Sequence, residues 1–378
     1  MKNLFLTMLM SMMMMGAMAQ ESKFSVSGTF NGLGDMVRVF LVDANGEMRV
    51  QENRSIDGDK FNMTFYLNNA GTLYVFGLEN GELSIDNSFA IPALPGENAV
   101  IEGGANAYTL SGSQFYIDYY EASNSINAPK EAAQDFIREC RAKLSSGAPE
   151  DQINKEFEEK YPALEQALAD AVLGYVKAHP DQDASAVLLS DLASDTKHIQ
   201  EGAALLSERA RNSVAANLYK GILAAAEKEH AEQARQEELS GNMAPDFTLI
   251  DINGNPLALS SLRGKWVIID FWGSWCGWCI KGMPKMKEYY AKYSDKLEIL
   301  GVDCNDTVEK WKAAVAKHEL PWVHVYWDKD DEKSDNPLAL YGVSNFPTKV
   351  IVDPEGKIDK IIVGEDPAFY EHLDEVLK

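Results

Sequence analysis

The sequence predicts a multidomain protein with an N-terminal all-β sandwich, a helical middle region and a C-terminal α/β domain. Three observations lead to this prediction. Short alternating apolar segments occupy the first part of the chain, a stretch rich in Ala, Glu, Leu and Lys follows, and strands then alternate with helices to the end. The length of 378 residues agrees, because it exceeds what a single ordinary core supports.

The first nineteen residues have the pattern of a secretory signal peptide. Lys2 supplies a positive charge, residues 4–18 are apolar, and Ala17-Met18-Ala19 gives a small-x-small cleavage site. A retained membrane anchor is the alternative, but the apolar run is shorter than the roughly 18 residues that a spanning helix needs. We therefore expect residues 1–19 to be removed on export and Gln20 to begin the mature chain.

Charge and cysteine content exclude two classes of protein. The formal net charge is −23, and no cluster of Lys and Arg is present that would neutralise nucleic-acid phosphates. Nucleic acid is therefore not an expected partner. The chain has only 4 cysteines, too few for a fold held together by a disulfide framework.

Residues 20–112 predict the β-sandwich. Residues 24–30, 36–42 and 60–67 alternate between apolar and polar side chains, as strands with one buried face do. Turn dipeptides separate such segments, namely Asn45-Gly46, Asp57-Gly58, Asn80-Gly81 and Pro95-Gly96. The spacing indicates a small antiparallel sandwich or barrel, of which we favour the sandwich, and this region shows no group of residues that indicates catalysis.

Residues 113–240 predict a helical region. Apolar residues recur at helical spacing, for example at Phe136, Cys140 and Leu144. Prolines at 129, 162 and 180 are expected to divide the helices. The highly charged residues 227–239 are expected to form an exposed helix end that runs into a linker.

Residues 241–378 predict the α/β domain. The segment Gly241-Asn242-Met243-Ala244-Pro245 marks its beginning. A strand dense in Val and Ile, residues 266–271, runs into the sequence Cys276-Gly277-Trp278-Cys279, and a helix is expected from Cys276 to about Tyr293. The two cysteines therefore lie at the N-terminus of a helix.

This placement predicts a redox-active pair. Free backbone N–H groups and the helix dipole stabilise a thiolate at a helix N-terminus, and thiolate is the nucleophile of disulfide exchange. A second cysteine one turn further along can attack the mixed disulfide and release the product. The alternative is a zinc site, which needs four ligands. His318 and His324 do not form such a set with Cys304 at a recognisable spacing.

The same region resembles the exported branch of the thioredoxin superfamily, typified by the TlpA, ResA and DsbE proteins. Besides the strand–CxxC–helix segment, the resemblance includes Ala244-Pro245-Asp246-Phe247, Phe346-Pro347-Thr348 and residues 351–358. The N-terminal domain resembles, more weakly, a domain of unknown function that precedes thioredoxin modules in some exported Gram-negative proteins.

The resemblance implies three catalytic residues. Cys276 would be the attacking thiolate and Cys279 the resolving thiol. Asp270 would be a buried acid behind Cys279 that exchanges its proton, and burial should raise its pKa. The only cofactor implied is the redox-active disulfide Cys276–Cys279, and no metal site is implied.

The resemblance also implies a substrate-binding surface. Pro347 would be a cis-proline that faces the disulfide, and Phe346 would offer backbone hydrogen bonds to an extended substrate. Trp275 flanks the site as an apolar surface, and Trp278 between the cysteines is bulky enough to shield the site or to contact substrate.

Two positions depart from the family pattern. The dipeptide Gly277-Trp278 is not one of the familiar pairs between the cysteines, and it leaves the reduction potential open. Many relatives carry an acid three residues after the second cysteine, where this chain has Gly282.

The other two cysteines have simpler interpretations. Cys304 follows a strand near its C-terminal end, where it is either a third redox thiol or a small core residue, and we favour the core. Cys140 lies on the apolar stripe of a helix and is expected to pack.

Together these observations predict a periplasmic thiol–disulfide oxidoreductase that reduces or reshuffles disulfides. Expected partners are thiols and disulfides of exported proteins, and an upstream reductant that is a membrane protein or thioredoxin-like.

Domain order motivates a homodimer through the N-terminal half. One alternative is a thiol peroxidase, since peroxiredoxins share the segment at 244–247. Another is a binding or scaffold protein whose CxxC only regulates it.

Overall fold

The structure is a computed structural model that describes residues 21–105, 107–193, 195–330 and 335–378. It divides into two compact units, the first ending at Ala226 and the second comprising Glu227–Lys378. The predicted signal peptide, residues 1–19, and Gln20 lie outside the described residues. The domain limits at 112 and 240 stay predictions.

The N-terminal part of the first unit consists of strands. They are β1 (Ser22–Asn31), β2 (Met36–Asp43), β3 (Met48–Ser55), β4 (Lys60–Leu67), β5 (Gly71–Glu79), β6 (Glu82–Ala93), β7 (Asn98–Gly104) and β8 (Ala107–Gly112). They form two 4-stranded sheets with the orders β4-β1-β7-β8 and β3-β2-β5-β6. Alternate residues of both sheets, such as Phe24, Val26, Val37 and Val39, belong to one hydrophobic core.

This arrangement confirms a β-rich N-terminal region. Purely antiparallel pairing was the wrong expectation, because β1 pairs in parallel with β7 while pairing antiparallel with β4. Which distant strands become neighbours depends on the whole fold, and the alternation within one strand does not contain that information.

Helices make up the remainder of the first unit and continue into the second. They are α1 (Gln114–Ser125), α2 (Asn127–Ser145), α3 (Glu150–Ala178), α4 (Asp183–Leu188), α5 (Thr196–Leu205), α6 (Glu208–Arg211) and α7 (Asn217–Leu239). The helical middle region is therefore confirmed. A second core of Leu168, Val172, Val176, Leu188 and Ile199 holds several of them together.

Two prolines do not divide helices as expected. Pro129 lies in the first turn of α2, where its missing N–H would have no partner within the helix in any case. Pro162 lies inside α3, which is 29 residues long in total and continues beyond the proline to Ala178. Burial of Leu168 and Val172 after this proline stabilises the helix against the loss of one backbone hydrogen bond.

Residues 227–239 form the largely exposed end of α7, as predicted, but the last turns are anchored to the rest of the second unit. Arg235 Nε donates a hydrogen bond to the carbonyl of Leu340 at 3.1 Å, and Gln236 Nε2 donates one to the carbonyl of Gly342 at 2.6 Å. Leu239 is buried with the core of the second unit. The charge pattern missed these contacts because both acceptors are backbone carbonyls, which leave no trace in composition.

The second unit continues with alternating strands and helices. They are β9 (Thr248–Asp251), β10 (Pro256–Ala258), β11 (Trp266–Trp272), α8 (Gly277–Tyr293), β12 (Leu297–Asp303), α9 (Val308–Lys317), β13 (Val323–Tyr326), α10 (Pro337–Tyr341), β14 (Thr348–Val352), β15 (Ile358–Val363) and α11 (Pro367–Val376). One 7-stranded sheet has the order β10-β9-β13-β12-β11-β14-β15.

Strand β11 lies inside this sheet and carries the site. It pairs in parallel with β12 and antiparallel with β14. Its residues Ile268 and Trp272 belong to the core that contains both cysteines of the CxxC, whereas Ile269 and Phe271 belong to the core on the other face. Side chains alternate between the faces of a strand, so Asp270 points to the CxxC side.

Across the ranges that the structure describes, no helix has both the length and the apolar character needed to cross a membrane.

Candidate active site

Cys276 and Cys279 form a disulfide at the start of α8, with their Cα atoms 5.3 Å apart. Cys276 is the N-cap residue, and the backbone N–H of Cys279 donates to its Sγ at 3.1 Å. Each cysteine is 5% exposed. When the disulfide is reduced, the same N–H groups and the helix dipole are placed to stabilise a thiolate at Cys276.

The loop before the CxxC is anchored to the loop that follows the neighbouring strand β12. The backbone N–H and the hydroxyl of Ser274 donate to the carboxylate of Asp306 at 2.6 and 2.7 Å. Near the same place, Asp303 at the end of β12 is fully buried, and burial together with the negative charge of Asp306 raises its pKa to about 9. Sequence reasoning missed Asp303 and Asp306, although two aspartates at and just beyond the end of a buried strand are a usable signal.

Asp270 is buried, with 4% of its surface exposed. Burial raises its pKa to about 6; the Lys349 charge opposes this rise and the Glu365 charge adds to it. Its Oδ1 atom accepts no hydrogen bond from any residue within the described ranges. A carboxyl in this state can exchange a proton near neutral pH.

A buried ion pair lies beside Asp270. Lys349 is the residue opposite Asp270 on β14 and is 1% exposed. Its Nζ lies 2.8 Å from Oε2 of Glu365, and the hydroxyl of Tyr370 donates to the other carboxylate oxygen at 2.9 Å. Sequence reasoning missed this group too. The signal was a single lysine in the apolar strand Thr348–Val352.

The four residues expected to bind substrate occupy this end of the sheet. The peptide bond between Phe346 and Pro347 is cis. The ring of Trp275 meets that of Phe346 edge-on with 5.2 Å between centroids, and Phe346 packs against the core that contains both cysteines. Trp278 lies in the first turn of α8.

Both tryptophans are exposed, and within the described parts of the chain Trp275 is the one of the two that is fixed by a hydrogen bond from its ring nitrogen. Its Nε1 donates to the carbonyl of Cys304 at 3.0 Å, and the side chain is still 51% exposed. Trp278 is 62% exposed, and its ring lies 4.6 Å from the Nζ atom of Lys281. The disulfide is therefore bordered by a large apolar aromatic surface.

The remaining cysteines are buried free thiols. Cys304 is fully buried, and burial, with a smaller contribution from the Asp303 charge, raises the pKa of its thiol. Cys140 packs with Phe136 and Ile153. Both placements agree with core roles. Among the residues described, no group of three or more His, Cys, Asp or Glu is arranged to hold a metal ion.

A strand that leads into a CxxC at a helix N-terminus, beside a cis-proline and a buried acid, defines a dithiol–disulfide site of thioredoxin type. Residues 240–361 match the model of the AhpC/TSA family. The chain is also 34% identical over 167 residues to the thiol-disulfide oxidoreductase ResA of Bacillus thuringiensis (strain Al Hakam), which covers 44% of this chain and 87% of that protein.

Two further proteins have similar identities to this chain. ResA of Bacillus subtilis (strain 168) is 35% identical over 138 residues, or 35% of this chain and 72% of that protein. The solved thioredoxin domain of a thiol-disulfide oxidoreductase from Bacteroides vulgatus is 34% identical and covers 37% of this chain and 98% of that domain, with a TM-score of 0.33. On its sequence relatives, the chain belongs to the ResA/DsbE-type thiol-disulfide oxidoreductases of the thioredoxin superfamily. It is therefore an oxidoreductase.

Proposed function

We propose that this protein reduces or reshuffles disulfides of exported proteins through Cys276 and Cys279. The observation that carries the proposal is the disulfide between these residues at the N-terminus of α8. The pair can store two electrons, and its position favours thiolate at the first cysteine.

In the first step, the reduced protein attacks a substrate disulfide. The Cys276 thiolate forms a bond to one substrate sulfur, the substrate S–S bond breaks, and the other substrate sulfur leaves as a thiolate. That thiolate takes up the proton that Cys276 had lost to solvent. The product is a mixed disulfide between Cys276 and the substrate.

In the second step, Cys279 releases the substrate. Asp270 accepts the proton of the Cys279 thiol, and the resulting thiolate attacks the Sγ atom of Cys276. The second substrate thiolate leaves and receives a proton, which Asp270 supplies directly or through solvent. Two electrons have then passed from the dithiol to the substrate disulfide. The raised pKa of Asp270, about 6, suits this exchange.

We also propose that Trp275, Trp278, Phe346 and Pro347 bind the substrate. The exposed aromatic rings next to the disulfide support this role, because an apolar surface at a site is a common contact for extended chains. Phe346, next to Pro347 in the chain, packs against both Trp275 and the core that contains the two cysteines.

Export and assembly belong to the same proposal. The signal-like residues 1–19 support removal on export and a periplasmic location, where thiols and disulfides of exported proteins are the partners. A membrane or thioredoxin-like reductant would supply electrons. We further propose that the domains comprise residues 20–112, 113–240 and 241–378. The two N-terminal sheets would pack as a sandwich, and the protein would form a homodimer through its N-terminal half. The acidic charge of the chain supports the absence of nucleic-acid partners.

Insulin-disulfide reduction by the full mature chain tests the proposal. Cys276→Ala should abolish activity, and Cys279→Ala should accumulate a mixed disulfide visible on a non-reducing gel. Cys304→Ala, which removes a buried free thiol, is the matched control and should keep activity. Full activity of Cys276→Ala would contradict the proposal.

The AhpC/TSA match makes a peroxidase the second candidate. A peroxide-consumption assay with dithiothreitol separates the two functions. Rapid peroxide loss without insulin reduction would favour the peroxidase, and the reverse result supports disulfide exchange.

A further inference from the structure

Two carboxyl groups share one buried ammonium group close to the CxxC helix. Asp270 on β11 and Glu365 before α11 both lie near Lys349, which is 1% exposed. A buried ammonium needs an anionic partner, because an unpaired buried charge is strongly unfavourable. With one cation for two acids, only one carboxylate can be fully neutralised.

The geometry shows which acid is paired. Oε2 of Glu365 lies 2.8 Å from Nζ of Lys349, and its Oε1 accepts the Tyr370 hydroxyl at 2.9 Å. Both oxygens of Glu365 are therefore fixed by direct contacts. Asp270, by contrast, keeps an Oδ1 without a partner within the described parts of the chain.

The CxxC helix leaves space for this carboxylate. Gly282 lies in α8, three residues after Cys279, and a Cβ atom at 282 would be 2.4 Å from Oε2 of Glu365. The Tyr370 hydroxyl also lies 3.4 Å from the carbonyl oxygen of Gly282. The turn before α11 thus places a negative charge against the helix that carries both redox cysteines.

We propose that Glu365 is a positioning residue of this redox site, which binds the Lys349 ammonium and so prevents that cation from neutralising Asp270. This inference rests on the proposed function only in giving Asp270 the proton exchange with Cys279. Glu365 itself touches neither cysteine in this scheme. Glu365 affects the proton exchange with Cys279 indirectly, by changing the charge state of Asp270.

Charged and titratable groups approach Asp270 from several elements. Lys349 comes from β14 and Glu365 from the turn before α11. Tyr370 on α11 and Cys304 after β12 are also close enough for the Asp270 charge to raise their pKa values. Cys279 on α8 packs on the same face of the sheet as Asp270, and its thiol titrates only when the disulfide is reduced. Among the described residues, Lys349 is the cation whose charge acts on Asp270, and Glu365 binds it directly.

Removing the Glu365 charge should lower the pKa of Asp270 for two reasons. A like charge disappears, and the Lys349 ammonium becomes free to turn to Asp270. A neighbouring charge typically moves a carboxyl pKa by about 1 unit or more. Removing Lys349 should have the opposite effect, because Asp270 then loses the attractive charge of Lys349 and keeps the repulsive charge of Glu365.

The experiment follows the titration of Asp270 by ¹³C NMR in the oxidised full-length mature protein labelled at aspartate carboxyl carbons. Asp270→Asn identifies the signal. We expect the midpoint to fall by about 1 pH unit in Glu365→Gln and to rise in Lys349→Met. Glu371→Gln, which removes the same charge from an exposed position on α11, should leave it unchanged.

An unchanged midpoint in Glu365→Gln would overturn the inference, as would a shift in the same direction in both variants. Glu365→Gln keeps the size of the side chain. If Lys349→Met does not fold, the Asp270 midpoint in Glu365→Gln is sufficient to test the inference. Insulin reduction by the unmodified protein is measured separately. Loss of the proposed function with a shifted midpoint would contradict the activity and leave the Glu365 inference standing.

Discussion

The carboxylate of Glu365 occupies the space into which a side chain at Gly282 would project. The Cβ of an alanine there would lie 2.4 to 2.6 Å from three carboxylate atoms. Residue 282 and residue 365 are therefore coupled, although they lie on different elements. The absence of a side chain at Gly282 makes room for the Glu365 carboxylate, and this relationship is not visible in the sequence around either residue.

We therefore expect the effect of Gly282→Ala on stability to depend on Glu365. Alanine in place of glycine in a helix is worth about 1 kcal/mol. In the native background this gain should be offset, because the alanine displaces the partner of a buried lysine. In a Glu365→Ala background the full gain should appear, so the coupling free energy between the two positions should be about 1 kcal/mol or more.

Urea unfolding followed by tryptophan fluorescence measures this coupling. All 7 tryptophans lie at or after position 266, so the signal reports on the second unit alone. Equal gains in both backgrounds would show that the two positions do not compete for space.

The two exposed tryptophans should respond differently to replacement. Trp278→Ala should raise KM for insulin and change the free energy of unfolding by no more than about 1 kcal/mol, since the ring contacts only Lys281 among the interactions described. Trp275→Ala should destabilise by about 1–3 kcal/mol, because the carbonyl of buried Cys304 loses its donor.

Steady-state kinetics and urea unfolding of the same samples check this contrast. Trp278→Phe keeps an aromatic ring and should restore most of the lost affinity. If Trp278→Ala and Trp275→Ala lowered stability equally, the distinction between a free ring and a hydrogen-bonded one would be wrong.

Asp270 should make stability depend on pH. Its pKa is about 6 in the folded protein, above the roughly 3.9 expected when unfolded, so its favourable contribution is complete below pH 4 and is lost as pH rises through 6. Asp270→Asn removes this loss. Relative to the native protein, its free energy of unfolding should rise by about 2 kcal/mol between pH 4 and pH 7.

Denaturation curves at several pH values test this expectation. Asp295→Asn, at an exposed position, is the control and should show no such trend. A constant difference between Asp270→Asn and the native protein across this range would mean that burial does not perturb this carboxyl.

Local pattern was sufficient for the parts of the site that lie on one segment. The apolar strand, the CxxC and the following helix are contiguous, so Cys276, Cys279 and the burial of Asp270 followed from residue order. The contact of Glu365 with the CxxC helix could not be predicted in this way, because it depends on where the turn before α11 lies against α8. Ser274 and Asp306 were missed for the same reason.

The fold shows the same division. Strands such as β4 were predicted because alternation is a local property, whereas the parallel pairing of β1 with β7 depends on tertiary structure. Pro162 was interpreted as a break from its intrinsic preference, and burial of the apolar residues that follow it outweighs that preference.

The last turns of α7 determine where a fragment that contains the redox site should begin. Glu232 contacts Ser344, and Arg235 and Gln236 hydrogen-bond the carbonyls of Leu340 and Gly342, just before the loop that presents Pro347. A fragment cut at residue 241 loses all of these supports and exposes the apolar site that Leu239 fills. The compact redox unit is thus longer than its motif by the last turns of α7, and a fragment designed to contain it should begin no later than Glu227.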